Sequence, residues 1–249
     1  MSDRELESVE RWLEKSGHAF ELRVARIFRT AGARPVDLSF SYTDKNTGAR
    51  REGDVLAHFK WESMQGVPAS IEAVVECKSG SDKPWVLFYD RTMATATDIK
   101  RWAYFMHGPF TGITESLDDI WVGRPPFDQM QVASHVVTAH ADDRGNSAGN
   151  AVRQVVSAAA GRTQHYVDRQ VSDRRGVVVI PILTTTQSLF RCALADDGTL
   201  KVEPAHVGVV GAASDLNPEA RVFIVTEAAL PEFARSLAER ARDAGEQHR

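Results

Sequence analysis

The spacing of apolar residues predicts two helices at the start of the chain. Ser2 and Glu5 have the spacing of a capping box, and the apolar residues after them recur every three or four positions. A first helix is therefore predicted to end near Gly17. A second is predicted to end at Gly32, because glycine commonly stops a helix. The apolar stripe of this second helix consists of Phe20, Val24, Ile27 and Phe28.

Beyond the second helix, the pattern changes to the alternation that is typical of short strands. Residues 36–42 alternate between apolar and polar side chains, and turn residues follow them. Two more strand-like runs follow at 53–61 and 71–79. Three consecutive short strands after a helix predict an antiparallel meander.

The second half of the chain contains further predicted strands. The continuous apolar run at 176–186 is typical of a buried parallel strand, and its polar end, from Thr184 to Gln187, is a candidate for the wall of a cleft. Two more strands are predicted at 188–194 and 221–227.

Helices are predicted between and after these strands. One covers 96–108, another runs from Ser147 to Ala160 with Gly161 as its stop, and a closing helix covers 231–245. Residues around 107–146 are rich in Gly, Pro and Asp and predict a loop-rich insertion. We therefore predict a single α/β domain over residues 1–249, with a mixed sheet flanked by helices.

Composition narrows the class of protein. The 249 residues are 43% hydrophobic and 26% charged, as in ordinary globular proteins, and no run approaches the roughly 18 apolar residues of a membrane span. We expect a cytoplasmic protein that does not use a membrane. Its two cysteines, Cys77 and Cys192, have no partners at metal-ligand spacing, which argues against a disulfide framework or a zinc site.

The charge distribution argues against nucleic-acid binding through bulk positive charge, because the net charge is -4. One segment, 144–175, is nevertheless basic, with six arginines against two aspartates. A solvated helix face and a phosphate-contacting surface are both open interpretations of it. The six arginines are Arg144, Arg153, Arg162, Arg169, Arg174 and Arg175.

Two charged residues interrupt the third predicted strand, in the run "VVECKSG" at 74–80. Residues two apart in a strand point to the same face, so Glu76 and Lys78 project together while Cys77 points the other way. Buried charges are costly without partners. An exposed strand end, or simple pairing of the two residues with each other, is the plain explanation of such a short pattern.

Two further acids make a shared site the stronger hypothesis. Asp54 opens the neighbouring strand, where a meander brings it close to Glu76, and Glu21 lies at the edge of the apolar stripe of the second helix. Either acid alone has an ordinary structural explanation, as a turn residue or a helix-boundary residue. Converging carboxylates raise one another's pKa unless a cation holds them, and oxygen ligands suit Mg²⁺ or Mn²⁺.

These residues carry a family resemblance. The succession "GHAFELRVARIFRTAG", "REGDVLA" and "VVECKSG" resembles the PD-(D/E)xK nucleases of the restriction-endonuclease-like fold, and its G-x-x-F-E opening is most similar to their Mrr-like branch. The resemblance implies an αβββαβ core with additions. It also implies that Asp54 and Glu76 bind the metal, that Glu21 supports it, and that Lys78 acts at the attacking water or the transition-state phosphate. Gly53 stands where the family pattern has proline, and the interval from Asp54 to Glu76 is long.

The implied function is metal-dependent hydrolysis of phosphodiester bonds, with DNA as the expected substrate and bacterial defence or restriction as the expected role. Cutting both strands is most simply done by two sites, so we expect a homodimer or a higher closed oligomer. RNA and branched DNA stay open as substrates. The alternative is a catalytically silent restriction-like fold that serves as a nucleic-acid-binding or assembly module. Trp85, after the third strand, either fills the core or stacks on a base.

Overall fold

The computed structural model describes residues 3–62, 68–80, 83–89, 105–107, 131–141, 147–168, 176–212 and 220–246. Its helices are α1 (Asp3–Ser16), α2 (His18–Thr30), α3 (Ser147–Asp168) and α4 (Leu230–Glu246). The strands before α3 are β1 (Val36–Thr43), β2 (Arg50–Glu62), β3 (Pro68–Lys78), β4 (Trp85–Tyr89), β5 (Phe105–His107), β6 (Val132–Ala133) and β7 (His135–Thr138). The later strands are β8 (Gly176–Thr185), β9 (Leu189–Leu194), β10 (Leu200–Ala205), β11 (Val207–Gly211) and β12 (Arg221–Thr226).

The predicted meander is confirmed. β1, β2 and β3 pair antiparallel in chain order and form one side of the main sheet. The turn between β1 and β2 is stabilised by Asp44, whose carboxylate accepts the backbone N–H groups of Asn46 and Thr47 at 3.0 and 3.1 Å. Gly48 completes the turn with a φ of 68°, in the left-handed region that glycine adopts without strain.

The centre of the main sheet is β8, and every one of its residues is buried, which explains its continuous apolar run. β8 pairs parallel with β3 and with β12, as its sequence predicts. β11 then pairs antiparallel with β12 and parallel with β6, whereas β5 pairs antiparallel with the first half of β8. The expectation of a mixed α/β sheet flanked by helices is therefore confirmed.

A second sheet, in the order β10-β9-β4-β7, was not predicted. It lies with α3 over one face of the main sheet, where both contribute to a shared apolar core. α2 and α4 cover the opposite face with a separate core. Trp85 on β4 is completely buried in the first of these cores, so it fills the core and does not offer a stacking surface.

Three predictions about helices and loops need correction. Residues 105–107 of the helix predicted over 96–108 form strand β5, and the rest of that segment lies outside the described residues. The described part of the predicted loop-rich insertion contains strands β6 and β7.

No helix in the described ranges is long and apolar enough to cross a bilayer.

The third correction concerns Gly161, which does not stop α3. The helix continues to Asp168, and Gly161 lies against the end of β1. A Cβ at this position would lie 2.6 Å from the carbonyl oxygen of Thr43 and 2.9 Å from the ring of Tyr42. The glycine is therefore needed for close packing of the helix on the strand.

Candidate active site

The pairing of β2 with β3 brings the charged residues to one face of the main sheet. Val55 lies directly opposite Val75, and both are buried in the core beneath α2 and α4. Because successive side chains of a strand point to opposite faces, Asp54 and Glu76 project together from the other face. Lys78, two residues after Glu76, shares that face. Three of the four predicted site residues are thus adjacent on two neighbouring strands.

Two short hydrogen bonds fix this group. The Asp54 carboxylate accepts the backbone N–H of Cys77, with 2.6 Å between N and Oδ2. The Lys78 ammonium donates to Glu76, with 2.6 Å between Nζ and Oε1. The Glu76 side chain is 10% exposed and that of Lys78 is 32% exposed. The ammonium can therefore reach solvent and an incoming ligand, while the carboxylate beneath it is largely covered.

The carboxylates destabilise each other's charge. Burial and the negative charge of Glu76 raise the pKa of Asp54 to about 7, and the charge of Glu21 raises it further. The hydrogen bond from Cys77 and the charge of Lys78 act in the opposite direction, but they do not compensate fully. A positive charge bound between Asp54 and Glu76 would relieve this repulsion, as the sequence pattern predicts.

Glu21 lies farther from the other two carboxylates. It is in the first turn of α2, which packs on the opposite face of the sheet, and its Oε2 is 3.4 Å from Nδ1 of His18. The start of α2 is close to the end of β3, because a Cβ on Gly17 would lie 3.4 Å from Oγ of Ser79. Within the described residues, no three His, Cys, Asp or Glu side chains are close enough to hold a metal ion together.

Asp54 and Glu76 nevertheless fit a magnesium site with two protein carboxylates. Mg²⁺ commonly binds one or two carboxylates and completes its octahedral coordination with water and substrate phosphates. The two side chains are on adjacent strands and one face, and the raised pKa of Asp54 reflects its burial and then the negative charge of Glu76. These two residues could hold Mg²⁺ or Mn²⁺, with Glu21 contributing only through its charge.

Gly53 stands where the family pattern has proline, and its close packing against Phe40 explains why this position is a glycine. A Cβ at this position would lie 2.5 Å from two carbons of the Phe40 ring, so only glycine allows the ring to pack there. The residue of β1 before Phe40, Ser39, has a φ of 53°, and the register places it opposite Asp54. Such a conformation costs an L residue about 1–2 kcal/mol. No pattern in the sequence predicts the positive φ of Ser39 or the packing of the Phe40 ring against Gly53.

A second charged cluster lies four residues before Glu76 on the same face of β3. Glu72 is completely buried and accepts hydrogen bonds from Arg162 Nε at 2.7 Å and from the Tyr166 hydroxyl, while His58 Nδ1 is 3.1 Å from its carboxylate. Burial alone would raise the pKa of Glu72, but His58 and Arg162 outweigh it and lower the pKa to about 2. This cluster joins α3 to the sheet beneath it.

Arg162, one of the six arginines of the basic segment, is therefore paired with a buried carboxylate. Of the other arginines in the basic segment, Arg153 is exposed on α3 and donates to the side chain of Asn150. The remaining four, Arg144, Arg169, Arg174 and Arg175, lie outside the described residues.

The chain was compared with protein-family models, curated proteins and solved structures, and none of them matches it. Asp54 and Glu76 could hold a divalent cation, and Lys78 carries its ammonium beside them. A cation and an ammonium together suit the binding of an anionic group such as a phosphate.

Proposed function

We propose that the protein is a metal-dependent endonuclease that hydrolyses phosphodiester bonds in DNA. One observation carries this proposal. Asp54, Glu76 and Lys78 project from one face of two adjacent strands, with Lys78 Nζ 2.6 Å from Glu76 Oε1 and partly open to solvent. Two carboxylates that can hold a divalent cation, beside a fixed ammonium, are suited to a substrate with a negatively charged phosphate.

Each side chain has a distinct part in the proposed reaction. Asp54 and Glu76 would hold Mg²⁺ or Mn²⁺, and the cation would supply Lewis-acid activation at the scissile phosphate. Lys78 would place its positive charge where negative charge develops on the phosphate oxygens. Glu76 positions that ammonium through the ion pair within β3. Glu21 would strengthen the cation site through its charge.

The proposal includes a restriction-endonuclease-like core. Its support is the order of α2, three antiparallel strands and β8 parallel to β3, together with the Glu21, Asp54, Glu76 and Lys78 pattern. It also includes a cytoplasmic role in bacterial defence or restriction, and a homodimer whose two sites cut both strands. Sedimentation at concentrations that give double-strand breaks tests the dimer, and a strictly monomeric active species contradicts it.

The decisive experiment is cleavage of supercoiled plasmid with Mg²⁺ and with EDTA. We expect nicked and linear products with Mg²⁺ alone, and none from Asp54→Asn or Glu76→Gln. Glu52→Gln is the matched control, since Glu52 is an exposed carboxylate two residues before Asp54 on the same strand. If Asp54→Asn and Glu76→Gln cleave as well as the parent protein, this site is not a nuclease site. DNA binding without cleavage by the parent would favour the non-enzymatic binding module.

A further inference from the structure

Helix α1 exposes the apolar face of its amphipathic pattern. With about 100° between successive residues of a helix, Leu6, Val9 and Trp12 lie on one side. These residues are 45%, 53% and 59% exposed, and every residue from Asp3 to Trp12 is exposed. Helices of about 12–15 residues are marginally stable in water unless such a face is packed. The 14-residue α1 therefore needs a surface on which to pack.

The charges of α1 are sorted onto two edges beside this face. Asp3, Glu7 and Glu10 follow one edge, with Glu10 next to the apolar face, and Arg4 and Arg11 follow the other. Five acidic residues against three basic ones make the helix negative overall. Anionic lipid surfaces bind amphipathic helices of the opposite character, rich in lysine and arginine on the polar face. The partner of α1 is therefore expected to be apolar and positively charged.

A groove between α2 and α4 offers such a surface. Its volume is about 500 Å³. Ile27 and Ala31 of α2 and Pro231 of α4 form its apolar part, and all three are accessible to solvent. Arg26 of α2 and Arg235 of α4 also line it, and both are exposed. An apolar groove is a common binding site for the apolar face of an amphipathic helix.

The positive charge of this groove is only partly balanced. Glu227, the acidic residue among those that line it, accepts a hydrogen bond from Arg23 Nε at 2.8 Å. Neither Arg26 nor Arg235 forms an ion pair within the described part of the chain. The groove thus carries two guanidinium groups that carboxylates can pair, and the acidic edge of α1 supplies carboxylates.

We propose that the groove of each copy of this chain is occupied by α1 of a second copy, so that two copies exchange their first helices about a two-fold axis. The apolar face of α1 lies on Ile27, Ala31 and Pro231, and its acidic edge lies against Arg26 and Arg235. Mutual exchange closes the assembly at two copies. The inference goes beyond the proposed nuclease function, which calls for a dimer but names no interface.

The short link between the two helices indicates that the occupant comes from another copy. Only Gly17 separates α1 from α2, whereas antiparallel helices of one chain are joined by about 2–5 residues. α1 therefore does not turn back along α2 to reach Arg26 and Ala31 of its own chain. At about 1.5 Å per residue, α1 and α2 are about 21 and 20 Å long, so α1 of a second copy can lie along the whole groove.

The test measures assembly by sedimentation in EDTA without DNA, where we expect the parent protein to be a dimer. A helix variant carries Glu7→Arg and Glu10→Arg, and a groove variant carries Arg26→Glu and Arg235→Glu. Each variant places like charges against each other across the interface. The dissociation constant of the dimer should therefore rise by at least about 100-fold in each.

The decisive sample is an equal mixture of the helix variant and the groove variant, each with its own fluorescent label. In an exchanged dimer, the basic helix of one variant meets the acidic groove of the other, and the acidic helix meets the basic groove. We expect the mixture to recover a dimer that contains both labels. Docking of α1 within its own chain gives no recovery, because mixing leaves the charges within each chain unchanged. Recovery also shows that both variants are folded.

Two further variants serve as controls. Arg4→Glu combined with Arg11→Glu makes the same change as the groove variant, but on the basic edge of α1, and should leave the dissociation constant unchanged. Trp12→Ser removes the most exposed large apolar side chain of α1 and should give a monomer with the helix content of the parent protein by circular dichroism.

The outcomes distinguish this interface from the nuclease proposal. A parent protein that sediments as a monomer overturns the interface, and binding of that monomer to phosphatidylserine vesicles would assign the face to a lipid surface. A mixture of folded variants that stays monomeric also overturns it. If a charge variant does not fold, Trp12→Ser decides, since a dimer retained in Trp12→Ser overturns the exchange. A monomer that cleaves plasmid leaves the nuclease site in place, whereas a dimer that needs these residues and never cleaves supports the interface and contradicts the nuclease.

Discussion

Lys78 and Glu76 form an ion pair within a single strand, with 2.6 Å between Nζ and Oε1. The pair neutralises Glu76 when no cation is present, although Asp54 beside it is still destabilised by negative charge. A cation held by Glu76 in the proposed site would compete with the ammonium for this carboxylate. Lys78 would then be free to contact a phosphate, so cation binding and the availability of the lysine would be linked.

Lys78→Met should therefore separate catalysis from cation binding. We expect cleavage to fall by about 100-fold or more, because a group that stabilises developing charge is lost. Affinity for Mn²⁺, measured by calorimetry without DNA, should stay the same or increase, since a competing cation has been removed. Weaker Mn²⁺ binding by Lys78→Met would contradict the assignment of Glu76 as a cation ligand.

Asp54→Asn should stabilise the protein in EDTA at alkaline pH. The pKa of Asp54 is about 7 in the folded protein and 3.8 in the unfolded chain, so the folded state holds an extra proton between these values. Stability therefore falls as pH rises from about 4 to 7. The difference between these two pKa values corresponds to about 4 kcal/mol, so Asn should raise the melting temperature by about 8–16 °C at pH 8. At pH 3, where Asp54 is protonated in the folded and the unfolded protein alike, the two proteins should melt together.

Glu72 should make the protein less stable as the pH falls, whereas Asp54 makes it less stable as the pH rises. Its pKa is about 2 in the folded protein against 4.5 in the unfolded chain, so its contribution is complete above pH 4.5 and is lost as pH falls towards 2. That contribution is about 3 kcal/mol. In urea unfolding, Glu72→Gln should be less stable than the parent protein at pH 6, and the difference should shrink at pH 3. An equal difference in stability at pH 6 and pH 3 would show that the substitution acts through packing and not through the charge of Glu72.

Gly161→Ala should destabilise the protein, although alanine normally favours a helix. Its Cβ would lie 2.6 Å from the carbonyl oxygen of Thr43, a clash that backbone cannot relieve cheaply. Forcing extra volume into a packed site costs about 1–3 kcal/mol. Gly245→Ala in α4 is the control, since its Cβ would meet Trp61 at an ordinary 3.5 Å and should be neutral or stabilising. Equal melting temperatures for the two variants would contradict this packing.

The local patterns of the sequence predict much of this structure. The alternation within β3 suffices to place Glu76 and Lys78 on one face, whereas Asp54 joins them through the pairing register of β2 with β3. The apolar run of β8 identifies a buried parallel strand. Both follow from the two-residue period of strands, which depends on neighbours alone.

Other features depend on contacts that no local pattern contains. Gly161 resembles a helix stop until Thr43 is placed against it, more than a hundred residues away in the chain. The second sheet joins β4 to β9, and neither strand predicts the other. Glu21 resembles a ligand by its spacing, but α2 packs on the opposite face, and within the described residues the three carboxylates do not form a metal-binding group.

The parallel pairing of β3 with β8 also has a kinetic consequence. Ala69 lies opposite Gly176, so the two strands meet only after a loop of more than a hundred residues has closed. Such distant pairing slows folding, because the entropy of closure is lost before the contacts form. The meander that holds the charged residues can form early, yet its neighbour at Thr185 arrives late. During refolding, the complete site, in which Thr185 lies beside Lys78, should therefore form after secondary structure first appears.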